Sequence, residues 1–506
     1  MLVSAPATLV ELLESGPPQP AALIIPETGA RLTYRDLADE VGRVASQLAA
    51  AGVKPGDRVA MALPNGPAAI VCLLAAAATA TAAPLNPAYR HDEFVFYLDD
   101  TGARLLLVPP AGANDALRAA ADRRVRVITV ETDSRGRVTL SGLPASASVA
   151  PPTSDAVALV LHTSGSTGRP KRVALSHGRL AISALNIAKT YSLTPDDVAL
   201  CVMPLFHVHG LVASTLATLL TGGSIVLPER FNPLAFWRTS HQHRVTWYSA
   251  VPAMHRMLLA RAGQGARPAG AERLRFIRSA SAHLTPQTMH RMEEIFGVPV
   301  LEAYGMTEAA HQIASNPPPP AERKPGSVGP GMGVRIAILA GDGRFLGPGH
   351  AGEVVIQGPS VIGGYEGDGD VNAGAFVEGW FRTGDQGKLD ADGYLHLIGR
   401  IKDLINRGGE KISPVEIGAL LRAHPGIEDA IAFGVPHPTW GEEVAAAVVL
   451  KGTATEADLF AYCREHLAEF KCPKKFHFVS TIPRTATGKI KRRAVMDAIL
   501  ADRDRS

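Results

Sequence analysis

Residues 163–171 read Thr163-Ser164-Gly165-Ser166-Thr167-Gly168-Arg169-Pro170-Lys171 and follow a short apolar run, Leu159-Val160-Leu161-His162. The run has the length of a buried strand, and it ends in a loop of small and hydroxylated residues. Such a loop suits an anion. Glycine lets the backbone approach closely, hydroxyls and amides donate, and Lys171 adds a cation. It is not a Walker A loop, because only two residues separate Gly165 from Gly168 and Pro170 precedes the lysine. A flexible Gly/Ser connection is the plain alternative, and the loop alone does not decide between them.

Around this loop, strand candidates alternate with amphipathic helical stretches, the pattern of layered α/β domains. Arg58–Leu63 reads as a strand, and the uncharged, alanine-rich Ala68–Ala83 reads as a packed helix too short and too weakly apolar to span a membrane. Pro233–Gln242 and Pro286–Phe296 read as helices, with strands at Val245–Ser249 and Leu274–Arg278. A β-rich section starts at Val334. After Arg400 the pattern changes to a small α+β unit with helices at Pro414–Ala423 and Glu456–His466. Its strands fall at Ile427–Val435, Val444–Leu450 and near Lys475–Val479. We therefore divide the chain into a large domain (1–399), a junction (400–402) and a small domain (403–506).

The 506 residues carry 51 Lys and Arg against 48 Asp and Glu, a net charge of +3 that makes no case for nucleic acid or an anionic membrane as partner. A hydrophobic share of 46% excludes a disordered chain. Cys72, Cys201, Cys463 and Cys472 form no CxxC pair, which fits a reducing compartment. No basic segment precedes an apolar run at the start, and the last three residues are not a peroxisomal or ER address. The expected location is the cytoplasm.

Three further blocks follow the loop in order: Tyr304-Gly305-Met306-Thr307-Glu308, then Thr383-Gly384-Asp385 with Gly399-Arg400, then Thr487-Gly488-Lys489. With the loop, they resemble the adenylate-forming superfamily of acyl-CoA synthetases, luciferases and adenylation domains over essentially the whole chain. The resemblance implies an α/β fold: a large N-terminal domain of two sheet-helix subdomains plus a β-barrel, and a small mobile C-terminal domain. It implies a carboxylate attacking the α-phosphorus of ATP to give an acyl-adenylate, then a thiol displacing AMP. ATP, Mg²⁺ and coenzyme A are thus the expected ligands, with a small carboxylic acid as the other substrate.

By the same resemblance, Thr163, Ser164, Gly165, Ser166, Thr167, Gly168 and Lys171 hold the β- and γ-phosphates. Thr307 and Glu308 serve the α-phosphate, with Glu308 on the metal. Asp385 and Arg400 hold the ribose, and Tyr304 stacks on adenine. Lys489 bridges the acyl carboxylate and the α-phosphate, Lys402 is the hinge, and Gly409 lies on the loop used in the thioester step. Taken singly, each of these residues is more simply read as a solvated polar group or a packed core side chain; their order along the chain overturns that. A non-catalytic nucleotide-binding protein would have lost Lys489, Glu308 or Asp385, and all three are present.

The acyl pocket is expected near Phe206–Gly210, Ser279–Ser281 and Glu308–His311, with His207, Ser281 and His311 as the substrate residues. The His207-x-His209 spacing raises a metal site, but no third ligand is evident. A hydroxyl and an imidazole left unpaired beside an alkyl tail would cost about 1–3 kcal/mol each, whereas a second carboxylate would satisfy both. The blocks Arg278–Ser281, Tyr304–His311, Ser315–Pro317, Lys324–Gly329 and Ile405–Pro414 resemble oxalyl-CoA synthetases of plants and yeast, although those commonly have Ala where this chain has Gly305. Oxalate leads as the acid; a medium- or long-chain fatty acid, or loading of a carrier protein, is the alternative.

Overall fold

Two mostly parallel sheets flanked by helices carry residues 21–315 of the computed structural model, which describes residues 6–14, 21–144, 147–163, 170–262, 267–367, 369–408, 410–485, 488, 490–491, 494–496 and 499. The first has seven strands within 58–176, and its last two, Val157–Thr163 and Lys171–Ser176, form an antiparallel hairpin. The second has eight. In spatial order one part of it runs His311–Ser315, Val300–Met306, Phe276–Ser279, Trp247–Ala250 and Val198–Cys201. The last four of these are parallel neighbours, and His311–Ser315 is an antiparallel edge.

Both sheets are buried on two faces, so their strands are near-continuous apolar runs, as parallel strands between helix layers must be. Helix bounds follow from capping. Thr285 caps Pro286–Phe296 and Gly297 ends it in the left-handed region. The alanine-rich stretch differs from its expectation. The helix runs only from Pro67 to Thr79, and Thr81–Pro84 is a strand of the seven-stranded sheet. Nearly every residue of both elements is buried, which removes the periodicity that separates helix from strand. Likewise the helix read from Pro233 starts at Phe236, after an Asn232 side chain has accepted from the Leu234 amide in a turn.

A third, antiparallel sheet of six strands occupies 335–400, and a fourth of five strands occupies 405–478 around its own apolar core. The helices Pro414–Ala423 and Glu456–His466 pack there with the bounds read from the sequence, capped by Ser413 and Thr455. Ser413 Oγ donates to the Ile398 carbonyl at 2.6 Å, tying this unit to the last strand of the third sheet. Among the described residues no helix is long and apolar enough to cross a membrane.

Candidate active site

Thr163 and Lys171 face one another across the two strands of the hairpin. Ser164, Gly165, Ser166, Thr167 and Gly168 lie outside the described residues. Glu308 stands beside the hairpin on a one-turn 3-10 segment, Thr307–Ala309, that follows the Val300–Met306 strand. Its Oε1 accepts from Thr163 Oγ1 at 3.3 Å and from the Tyr365 hydroxyl at 2.9 Å. Lys171 Nζ lies 4.6 Å from the centre of the Tyr365 ring. Burial, then the Glu308 charge, pushes the Tyr365 phenol up, so it stays a donor. Tyr365 belongs to none of the motifs and was not legible from them.

Asp385 and Arg400 are register partners in the third sheet, joined by Arg400 Nε–Asp385 Oδ1 at 2.8 Å. The Tyr304 hydroxyl donates to Asp385 Oδ2, and Arg400 Nη1 donates to the Thr383 carbonyl at 3.1 Å. Burial first, and Asp385 second, hold the Tyr304 phenol well above its usual range. Three residues assigned separately to adenine and ribose therefore form one contact set. Thr307 is buried one residue from Glu308.

Among the described residues no group of three or more His, Cys, Asp or Glu converges on a metal. A single buried carboxylate flanked by a threonine hydroxyl, at the mouth of a phosphate-type loop, is instead the donor set Mg²⁺ uses when substrate phosphates supply the other oxygens. Glu308 and Thr163 fit that ion. His207 and His209 do not form a ligand pair. His207 Nδ1 accepts from the His209 amide at 3.2 Å, while both ring nitrogens of His209 are taken by serines.

Those serines lie where the acyl pocket is expected. His209 Nδ1 lies 2.9 Å from Ser281 Oγ and its Nε2 lies 2.6 Å from Ser249 Oγ. His311 stacks on His209 with ring centres 5.4 Å apart. Ser281, Ala310 and His311 all have positive φ, at 71°, 51° and 116°, a backbone cost concentrated at this site. Ser281 and His311 thus meet through His209, with His207 one hydrogen bond away. Burial is the main reason that the imidazoles of His209 and His311 are held well below their usual pKa, and the next is Arg278. Both rings are neutral at physiological pH. Arg278 stands in the Arg278–Ser281 block with no role assigned to it, and Ser249 enters the sequence reading only as the end of a strand.

Gly305 permits this arrangement. A Cβ there would stand 1.9 Å from the His311 carbonyl oxygen and 2.7 Å from its carbon, backbone atoms that no rotamer change can relieve. Gly305→Ala is expected to push the His311–Ser315 strand outward, costing about 1–3 kcal/mol and at least about tenfold in kcat/KM for the acid. Thermal melting and steady-state kinetics read the two effects; an unchanged melting temperature with unchanged kinetics refutes the close approach.

At the junction, Lys402 is exposed in the 3-10 turn Ile401–Asp403, which directly follows Arg400. Gly409 and Lys489 lie outside the described residues. Gly488 is described, and a Cβ on it would touch Val251 Cγ2 at 2.8 Å. Val251 precedes the Pro252–Arg261 helix and lies two residues beyond Ser249. Gly488 therefore lies against Val251 of the large domain.

An AMP-binding enzyme model matches residues 14–366, and an AMP-binding enzyme C-terminal domain model matches residues 416–489. The chain belongs to the AMP-binding enzyme family. Within that family, the chain is 45% identical to oxalate–CoA ligase of Arabidopsis thaliana, covering 93% of this chain and 94% of that protein. It is 42% identical to oxalate–CoA ligase of Saccharomyces cerevisiae (94% of each) and 39% identical to sulfoacetate–CoA ligase of Cupriavidus necator (96% of each). ATP-bound MatB of Rhodopseudomonas palustris superposes with a TM-score of 0.89 at 32% identity, covering 97% of this chain and 98% of that one. The apo form of the same protein gives 0.78. This family member is an ATP-dependent acid–CoA ligase that uses ATP, a carboxylic acid and coenzyme A.

Proposed function

We propose that the acid is oxalate and that the product is oxalyl-CoA. The observation that carries this reading is the polar wall of the acyl end: Ser281, His209 and His311, backed by Ser249 and by Arg278, which is 0% exposed. A fatty acyl tail would leave these groups unpaired, whereas a second carboxylate supplies acceptors for them. The two oxalate–CoA ligases among the relatives support the same choice.

In this reading, Thr163, Lys171 and the loop between them bind the β- and γ-phosphates. Thr307 and Glu308 meet the α-phosphate, and Glu308 with Thr163 would hold Mg²⁺, which when bound neutralises phosphate charge. Asp385 accepts from the ribose hydroxyls while Arg400 holds the Asp385 carboxylate in place. Tyr304 offers its face to adenine. One oxalate carboxylate lies at the α-phosphorus; the other faces Ser281 and His311, with His207 at the entrance. Lys489 then spans the attacking carboxylate and the α-phosphate, stabilising the charge that builds between them. Rotation at Lys402 brings the Gly409 loop to the site, and the CoA thiol displaces AMP. We place the chain in the cytoplasm, since all four cysteines are free thiols in the core.

AMP release measured with oxalate, sulfoacetate, octanoate and palmitate, each with ATP and CoA, tests the choice of acid. Oxalate is expected to exceed both fatty acids in kcat/KM by at least about 100-fold, the range over which an unpaired buried polar site discriminates. Octanoate or palmitate exceeding oxalate refutes it.

A further inference from the structure

Arg278 sits in the middle of the buried Phe276–Ser279 strand and has no carboxylate within 4.0 Å among the described residues. Its guanidinium donates to four neutral groups: Nε to the Tyr191 hydroxyl (2.8 Å), Nη1 to Ser249 Oγ (3.1 Å), and Nη2 to His311 Nε2 (3.0 Å) and Gln312 Oε1 (3.3 Å). A buried cation with no counter-ion is costly unless a ligand brings the charge. The guanidinium is also too enclosed to touch a ligand itself.

The directions of the surrounding hydrogen bonds follow from it, because a guanidinium can only donate. His311 Nε2 must accept, so the ring proton of the neutral imidazole is on Nδ1, which has no partner among the described residues. Ser249 Oγ accepts from Arg278, and its only other partner among the described residues is His209 Nε2, so its own proton goes there. His209 then carries its proton on Nδ1 and donates to Ser281 Oγ. The Ser281 hydroxyl proton is left over.

We propose that Arg278 is the positioning residue for the far carboxylate of the acid: it turns the hydrogen bonds of Ser249, His209 and His311 so that Ser281 O–H and His311 Nδ1–H both present donors to that carboxylate. The inference rests on the reading of the substrate as a small dicarboxylate. It also explains how a pocket of neutral residues selects a dianion, since the compensating charge stands one layer behind the contact atoms.

The test compares the unaltered enzyme with Arg278→Met, Arg278→Lys and Ser249→Ala, measuring KM for oxalate, KM for ATP and kcat. Arg278→Met is expected to raise KM for oxalate about 100-fold with KM for ATP changed less than about threefold, since two charge-assisted donors are misdirected and the nucleotide end is untouched. Arg278→Lys restores at least about tenfold of that loss by returning the charge. A purely structural role would move both KM values and kcat together and would not be restored by lysine. Oxalate KM unchanged in Arg278→Met overturns the inference while leaving the substrate reading intact. An unaltered enzyme that prefers octanoate to oxalate overturns the substrate reading and the inference with it. If Arg278→Met does not fold, Ser249→Ala decides alone: it breaks the relay beyond the guanidinium, and a loss in oxalate kcat/KM of about tenfold at constant ATP KM supports the inference. No loss overturns it.

Discussion

Replacing Ser281 and His311 together by alanine lowers kcat/KM for oxalate by about 10³-fold, because each removes a hydrogen bond to a charged group worth about 1.5–3 kcal/mol. The loss falls mainly on KM for oxalate and leaves KM for ATP unchanged, since both side chains stand at the acyl end and neither touches Glu308, Asp385 or Arg400 among the described contacts. Alanine is the right replacement here. Ser281 and His311 have positive φ, so glycine would relax the backbone and mix two effects, whereas alanine keeps the Cβ and its strain. The two losses are expected to be less than additive, because His209 stacks on His311 and holds Ser281. An unchanged KM for oxalate in the double variant rules out this wall as the acyl site.

Lys489→Ala is expected to reduce oxalate-dependent ATP–pyrophosphate exchange by at least about 10³-fold while leaving thioester formation from supplied oxalyl-adenylate within about threefold. The asymmetry follows from the two-step chemistry. A carboxylate attacking a polyanion needs a cation between the two, and attack of a thiol on a mixed anhydride does not. The position of the preceding residue supports the assignment, with Gly488 seated on Val251 near the Ser249 strand. Gly488→Val would separate the loop from that seat and lower exchange in the same direction. Normal exchange in Lys489→Ala refutes the role.

The capped, surface-facing helices were legible residue by residue. Ser413 before Pro414–Ala423 and Thr455 before Glu456–His466 are side-chain caps that speak through neighbours in the chain, so no tertiary knowledge is needed to place them. The Ala68–Ala83 stretch was not, because where everything is buried the polar face that gives a helix its period is missing. The site divides in the same way. Glu308, Asp385 and Arg400 stand in short ordered blocks, and the structure brings Glu308 to Thr163 and Asp385 to Arg400 and Tyr304. Tyr365 and Ser249 lie outside any block, and their importance exists only through contacts made by distant segments. Arg278 did carry a local signal, a charge directly after the apolar pair Phe276-Ile277 in a strand, but its meaning depends on the absence of an acidic partner among the described residues, which only three dimensions reveal. Gly305 is similar: its small size reads as a departure from relatives in sequence and as a backbone contact with His311 in space.

If this acid–CoA ligase recognises its acid by a second carboxylate, as we propose, it must discriminate against pyruvate, which keeps the first carboxylate and the adjacent carbonyl of oxalate and exchanges one charged oxygen for a methyl group. The ratio of kcat/KM for oxalate to that for pyruvate, measured by AMP release at saturating ATP and CoA, is expected to exceed about 10³, because pyruvate loses the charge that Ser281 and His311 are arranged to meet. A ratio near one would rule out recognition through the second carboxylate.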